Sequence, residues 1–185
     1  MSSSTVPYCE FTEVALSYLN QLYSAARRLT GNPADADDLV QETYELAFQH
    51  YGELRGLAHC RAWLYRILHR QAVTRYRRQH SGPQLVLIDG GADDAEYPQP
   101  QSPFDGDVLE EISLQEIRNA IGSLPSELRV AVTLCDIEGF TYAEIADITD
   151  CPVGTVRSRI ARARAKLMRK LQTHAEECGI RRQTS

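Results

Sequence analysis

Several features common in chains of this length are missing here, and each absence narrows the possible functions. No apolar run in the 185 residues approaches the roughly 20 needed to cross a bilayer. The opening MSSSTVPYCEF has neither a basic start nor an apolar core, so no secretory signal is expected and the protein is expected in the cytoplasm. The five cysteines, Cys9, Cys60, Cys135, Cys151 and Cys178, are odd in number and form no CxxC pair. That argues against a disulfide framework or a zinc knuckle. They read as small apolar residues kept reduced, with a redox-sensing thiol at Cys135 or Cys151 as the other reading.

Catalytic signatures are absent as well. There is no Gly-rich phosphate loop, HExxH or GxSxG. His50, His59, His69, His80 and His174 do not cluster with acids or cysteines at metal-ligand spacing. The expectation is a binding protein without catalytic residues, metal, cofactor or small-molecule substrate. Strand-like alternation of useful length is also missing, so the fold is expected to be all-α.

What the sequence does have is charge in blocks. The net charge of −5 hides them. Residues 51–80 carry seven arginines against Glu53, and residues 151–185 carry nine basic residues against two acids. Between them, residues 81–116 hold nine acids and no Lys or Arg. Two cationic blocks separated by an anionic connector suggest a polyanion contacted at two places.

The apolar positions place helices along the chain. Phe11, Val14, Tyr18, Leu19, Leu22, Ala25, Ala26 and Leu29 recur at helical spacing through Tyr8–Leu29, and Gly31 is expected to cap that helix. Asn32 and Pro33 open the next helix as cap and first position, with Leu39, Val40, Thr43, Leu46 and Ala47 inward. Asp35, Asp37 and Asp38 suit the positive end of its dipole, a role that does not account for Gln41 and Glu42 on the exposed side. Two glycines in Tyr51–Ala58 predict a loop. From His59 an apolar stripe of Trp63, Ile67, Leu68, Ala72, Val73 and Tyr76 runs between Arg61, Arg66, Arg70, Arg75, Arg77 and Arg78. Aromatic rings beside arginines can hold unstacked bases and their phosphates. Trp63 reads as core, whereas Tyr65 and Tyr76 fit either role.

The stretch from Ser81 to Val108 is acidic and proline-rich, a linker whose one apolar run is Leu85–Ile88. Helices resume at Leu109. The segment Thr141–Leu171 then reads as a helix-turn-helix. Thr141 and Glu144 fit a capping box, Thr149, Asp150 and Cys151 form the break, and Pro152 suits the start of the second helix. In that helix Val156, Ile160, Ala163, Leu167 and Leu171 form one stripe and the other faces are cationic, as a helix entering the DNA major groove requires. The tail from about Thr173 is expected to fray. The expected layout is 8–80, a helical module; 81–108, linker; 109–172, the helix-turn-helix module; and 173–185, tail.

Three segments resemble the extracytoplasmic-function sigma factors, the small two-domain initiation factors of bacterial RNA polymerase. DADDLVQETY resembles the acidic helix of sigma region 2 that grips the polymerase clamp. RAWLYRIL with RYRRQ resembles the helix that melts and reads the −10 element. LPSELRVAVTLCDIEGFTYAEIADITDCPVGTVRSRIARARAKL resembles sigma region 4, which reads the −35 element. The resemblance implies polymerase contacts at Asp38, Leu39, Gln41 and Glu42. It implies −10 DNA contacts at Arg61, Trp63, Tyr65, Arg66, Arg70, Arg75, Tyr76, Arg77 and Arg78, and a flipped-out base held by the loop from Tyr51 to Cys60. It implies −35 contacts at Thr141, Tyr142, Thr155, Arg157, Ser158, Arg159 and Arg162. The implied partners are core RNA polymerase, promoter DNA and an anti-sigma factor. Family members often carry Asn and Asp where this chain has Arg70 and Thr74, which bears on −10 base preference. The alternative from another class is a stand-alone helix-turn-helix regulator, which usually binds palindromes as a dimer and has no need of the acidic helix or the linker.

Overall fold

The computed structural model describes residues 6–79 and 114–177, which fall into two compact units. Among the described residues every regular element is helical. The expected linker at 81–108, the helix start at Leu109 and the last residues of the tail lie outside them.

The first unit contains α1 (Tyr8–Ser17), α2 (Leu19–Thr30), α3 (Pro33–His50) and α4 (Cys60–Gln79). Asn32 caps α3 as expected, its side chain accepting from the Asp35 N–H at 2.8 Å. Gly31, at φ 84°, ends α2 in the left-handed conformation that its missing Cβ makes accessible. α3 packs against both α2 and α4. Phe11, Leu22, Leu39, Leu64, Tyr65 and Leu68 are the large, fully buried side chains of this unit. Each contributes roughly 1.5–3 kcal/mol of hydrophobic stabilisation relative to an exposed side chain.

The single helix expected over Tyr8–Leu29 is instead two, broken at Tyr18. Neither proline nor glycine lies there, and the apolar stripe stays in phase across the break. The cause lies elsewhere in the chain. The buried Tyr44 of α3 donates its hydroxyl to the Ala15 carbonyl at 2.7 Å, and Tyr18 closes a tighter turn onto the same oxygen at 3.2 Å. A side chain inserted into the helical ladder kinks the helix. Burial pushes the Tyr44 phenol up to about 12, so it remains a donor at neutral pH. The loop expected at Tyr51–Ala58 is likewise more ordered than glycine content implied, with 3₁₀ turns at Tyr51–Glu53 and Leu57–His59. Tyr51 stacks on Phe11 with centroids 5.5 Å apart.

Beyond residue 113 lie α5 (Leu114–Gly122), α6 (Ser126–Val132), a π-helical turn (Thr133–Ile137), α7 (Tyr142–Thr149) and α8 (Val153–Glu177). α8 packs against α6 and α5, with Leu124, Leu128, Val132 and Ala163 in one cluster and Ala120 and Leu171 in an adjoining one. Leu167 joins the two clusters. Gly139, at φ 72°, allows the Phe140 N–H to return to the Leu134 carbonyl at 3.0 Å and end the π turn. α8 runs as helix to Glu177, and the rest of the tail lies outside the described residues.

Candidate nucleic-acid interface

α4 separates its side chains by helical phase. Leu64, Tyr65 and Leu68 are buried. Arg66, Arg70, Thr74 and Arg77 follow at spacings of four, four and three, so they share a stripe on the side away from Leu64 and Leu68. Arg70, Thr74 and Arg77 are exposed and Arg66 is half-buried, its Nε buried without a hydrogen-bond partner. Trp63 borders this stripe, partly exposed, with one side edge-on to Phe11 at 6.1 Å. Tyr76 and Arg78 are exposed. Tyr65, left open between core and base stacking, is core at 1 % exposure. That corrects its place among the −10 contacts, because a buried ring presents no face to a base. Arg61 covers it, with the guanidinium carbon 5.6 Å from the ring centroid.

Arg75 is corrected as well. It turns onto α3, donating from Nε to Glu42 Oε2 at 3.0 Å and from Nη2 to Glu42 Oε1 at 2.7 Å. A further nitrogen lies 3.8 Å from Asp38, and the same nitrogen donates to the Asp35 carbonyl at 3.4 Å. The two-point hydrogen bond holds the Glu42 carboxyl below its ordinary range and raises Arg75. The family resemblance implies a DNA contact for Arg75 and a polymerase contact for Glu42; the fold joins them in one ion pair. Asp38 and Gln41 are exposed on α3, with Gln41 donating to Glu45 at 2.8 Å. Leu39 is fully buried, so the expectation that it touches a partner is corrected. Its side chain fixes the helix that displays the acids.

The helix-turn-helix forms as its sequence predicts. The Thr141 N–H donates to Glu144 at 2.8 Å and the Glu144 N–H to the Thr141 hydroxyl at 3.3 Å, a reciprocal capping box. Asp150, at φ 54°, makes the left-handed break, a conformation that aspartate tolerates better than most residues. The Val156 N–H reaches the Pro152 carbonyl at 3.1 Å, closing the first turn of α8. Ile145, Ile148, Val156 and Ile160 are buried.

Opposite the buried stripe of α8, Ser158, Arg162, Ala165 and Arg169 recur at spacings of four, three and four. Ser158 and Arg169 are exposed and Arg162 half-buried. Arg157 is exposed and Thr155 and Tyr142 are half-buried. The Ser158 hydroxyl donates to the Thr155 carbonyl at 3.0 Å and Arg162 Nε to the Ser158 carbonyl at 3.4 Å. Arg169 and the exposed Lys166 were not singled out as DNA contacts from sequence. Extending the spacing of Ser158 and Arg162 down the helix would have found Arg169. Arg159 departs from expectation: it donates to Glu127 of α6 at 2.7 Å and to the Cys151 sulfur at 3.6 Å. Arg164 similarly donates to Asp136 of the π turn at 3.0 Å and to the Cys135 sulfur at 3.8 Å.

Burial pushes the Cys60 thiol up to about 11, and burial with the Asp136 charge does the same to Cys135. Thiols so raised are protonated and unreactive near neutral pH, which weakens a redox-sensor reading at Cys135. Among the described residues no group of three potential ligands could hold a metal ion, and no helix is long and apolar enough to cross a membrane.

Residues 14–81 match the family Sigma-70 region 2, and residues 114–167 match Sigma-70, region 4. The chain is 34% identical over 178 residues to the RNA polymerase sigma-H factor of Pseudomonas aeruginosa, covering 88% of this chain and 86% of that protein. It is 34% identical over 170 residues to the ECF RNA polymerase sigma-E factor of Escherichia coli, with 88% and 86% covered. It is 36% identical over 171 residues to the ECF RNA polymerase sigma factor SigE of Mycolicibacterium smegmatis, covering 89% of this chain but only 63% of that longer protein. Among solved structures, CnrH in complex with the cytosolic domain of CnrY is 26% identical at a TM-score of 0.60, with 88% of each chain covered. The sigma factor RpoE of Bartonella quintana, in complex with the anti-sigma factor NepR, shares the fold at a TM-score of 0.68 and 23% identity, with 88% of this chain and 97% of that one covered.

Proposed function

This chain belongs to the ECF RNA polymerase sigma factors, and we propose that it binds core RNA polymerase in the cytoplasm, recognises two promoter elements and opens the DNA with no catalytic residue of its own. The observation that carries this reading is the presence of two separate cationic helices. α4 presents Arg66, Arg70 and Arg77 beside Trp63, and α8 presents Ser158 and Arg162 with Arg157 near the start of a capped helix-turn-helix. A stand-alone regulator would need only the second.

In this reading residues 8–80 form sigma region 2. The exposed Asp38 and Gln41, with Glu42, meet the clamp of core polymerase. The α4 stripe lines the melted −10 strand, with Tyr76 and Arg78 at the far end of the helix. Opening DNA costs a few kcal/mol for each unstacked base, which the cationic wall and an aromatic face offset. Residues 109–172 form sigma region 4. Arg157, Ser158 and Arg162, with Thr155 and Tyr142, divide between bases and phosphates of the −35 element, whereas Thr141 serves the helix that supports them. The acidic segment 81–108 threads near the active-site cleft of the polymerase, where its charge resembles that of nucleic acid. An anti-sigma factor restrains the free protein. NepR is an anti-sigma factor bound to a sigma factor of like fold, and the anti-sigma partner of this chain is expected to compete with core polymerase.

Run-off transcription with purified core polymerase tests the reading. Transcripts should start at defined promoters only when this protein is present. Asp38→Arg should abolish association with core while leaving −35 duplex binding intact, and Arg157→Ala should do the reverse. Tight duplex binding by the chain alone, without association with core, would refute it.

A further inference from the structure

α8 carries two arginines that do not point into open solvent, and they flank its buried stripe symmetrically. Val156, Ile160, Ala163 and Leu167 lie between them in helical phase. On one flank Arg159 is held by Glu127 of α6 at 2.7 Å and by the Cys151 sulfur at 3.6 Å, with its side chain 21% exposed. On the other flank Arg164 is held by Asp136 of the π turn at two nitrogens, and by the Cys135 sulfur at 3.8 Å, with its side chain 25% exposed. The hydrogen bond to Asp136 is the main cause of the raised Arg164 basicity.

An apolar stripe fixes which face of a helix turns inward but resists a small rotation about the axis only weakly, because hydrophobic contact is non-directional. Charge-assisted hydrogen bonds are directional. One on each flank opposes rotation in each sense. The π turn contributes to this: its extra residue carries the chain past regular α-geometry, and its Asp136 is the residue that meets Arg164. The residues held in register by these two pairs are those on the opposite face, Ser158 and Arg162. A rotation of about 20° of a side chain about 6–7 Å from the axis moves its tip by about 2 Å, beyond the tolerance of a hydrogen bond to a base edge.

We propose that Glu127 and Asp136 are positioning residues for promoter reading: through Arg159 and Arg164 they set the roll of α8 and thereby determine which base edges Ser158 and Arg162 meet. The proposal rests on the sigma-factor reading. It also moves Arg159 from DNA reader to brace, with the Cys151 and Cys135 sulfurs as second contacts of the two guanidiniums.

The test uses the full chain with core polymerase, scored by transcription from a promoter and from single-base variants of its −35 element. A base contact gives roughly 5- to 150-fold discrimination. Glu127→Gln and Asp136→Asn should each flatten that preference about threefold and together about tenfold, on the order of one weakened base contact. Transcription from a promoter with the −35 element scrambled should not fall, and the slope of log affinity against log salt should change by less than about one unit, because no phosphate contact is removed. Both acids are exposed, so the variants should fold, which circular dichroism checks. The charge-exchanged pair Asp136→Arg with Arg164→Glu should restore most of the lost discrimination. Three outcomes overturn the proposal: unchanged base preference in the double variant, a parallel loss on matched and mismatched promoters, or failure of the exchanged pair to recover discrimination. If the unmodified protein directs no promoter-specific transcript, the sigma-factor reading itself fails, and that result is distinguishable from all three.

Discussion

Arg75 and Glu42 offer the sharpest check on how the first unit is held together. They lie 33 residues apart on different helices and share a two-point hydrogen bond of 3.0 and 2.7 Å. Exposed ion pairs are typically worth about 0.2–1 kcal/mol. Here the Arg75 side chain is 22% exposed and the Glu42 side chain 42% exposed, so half of the pair remains well solvated. The two-point geometry raises the expected coupling and the solvation of Glu42 limits it, giving about 1 kcal/mol in a double-mutant cycle of Arg75→Met and Glu42→Gln. In urea unfolding of the full chain, each single variant should lower the midpoint and the double variant should lower it by less than their sum. The sign with pH follows from the depressed Glu42 carboxyl. A carboxyl whose folded pKa lies below its unfolded value contributes stability fully above the unfolded value of about 4.3, and that contribution is lost as pH falls through the folded value. The coupling should therefore be full at about pH 7 and small at about pH 2. About 1 M salt should reduce it only in part, because Arg75 is largely covered. A coupling below about 0.2 kcal/mol at neutral pH and low salt, or one that persists unchanged in acid, would show that the pair does not hold α3 to α4.

Other measurements reach the remaining features. Thr141→Ala removes half of the capping box at α7 and should cost about 1 kcal/mol, seen as a lower urea midpoint with an unchanged slope. Ile160→Ala, at a fully buried site on α8, should cost about 2–5 kcal/mol and lower −35 binding through loss of folded protein rather than loss of a contact. Thiol labelling at about pH 8 should modify the exposed Cys9 first and Cys60 and Cys135 far more slowly. Raising the pH toward about 11 should narrow that gap for the half-buried Cys135, while the fully enclosed Cys60 stays slow for as long as the fold persists. Binding to promoter DNA with core polymerase present should weaken about 10³- to 10⁵-fold between about 50 and 200 mM salt if six or more phosphates are contacted, and a flat response would exclude α4 and α8 as the DNA surface.

Much of this molecule can be read one residue at a time. The caps at Asn32 and Thr141, the glycine stop at Gly31, the break at Asp150 and the stripe from Val156 to Leu171 depend on neighbours within four residues, and local hydrogen-bond chemistry and helical period decide them. Charge in blocks pointed to two cationic helices for the same reason: it is a property of the sequence before it folds. Tertiary structure decided what those charges do. Arg75, Arg159 and Arg164 carry the same charge as Arg70, Arg157 and Arg162, yet the first three meet carboxylates 33, 32 and 28 residues away and become internal braces. Tyr44 reaches a carbonyl 29 residues upstream at the break between α1 and α2, and Leu39 and Tyr65 pass from candidate contacts to core. Helical period gives the direction in which a side chain leaves its own helix. Only the packed neighbours determine whether it meets a carboxylate, a carbonyl, an apolar wall or solvent, and a hydrogen bond is made or lost over less than an ångström.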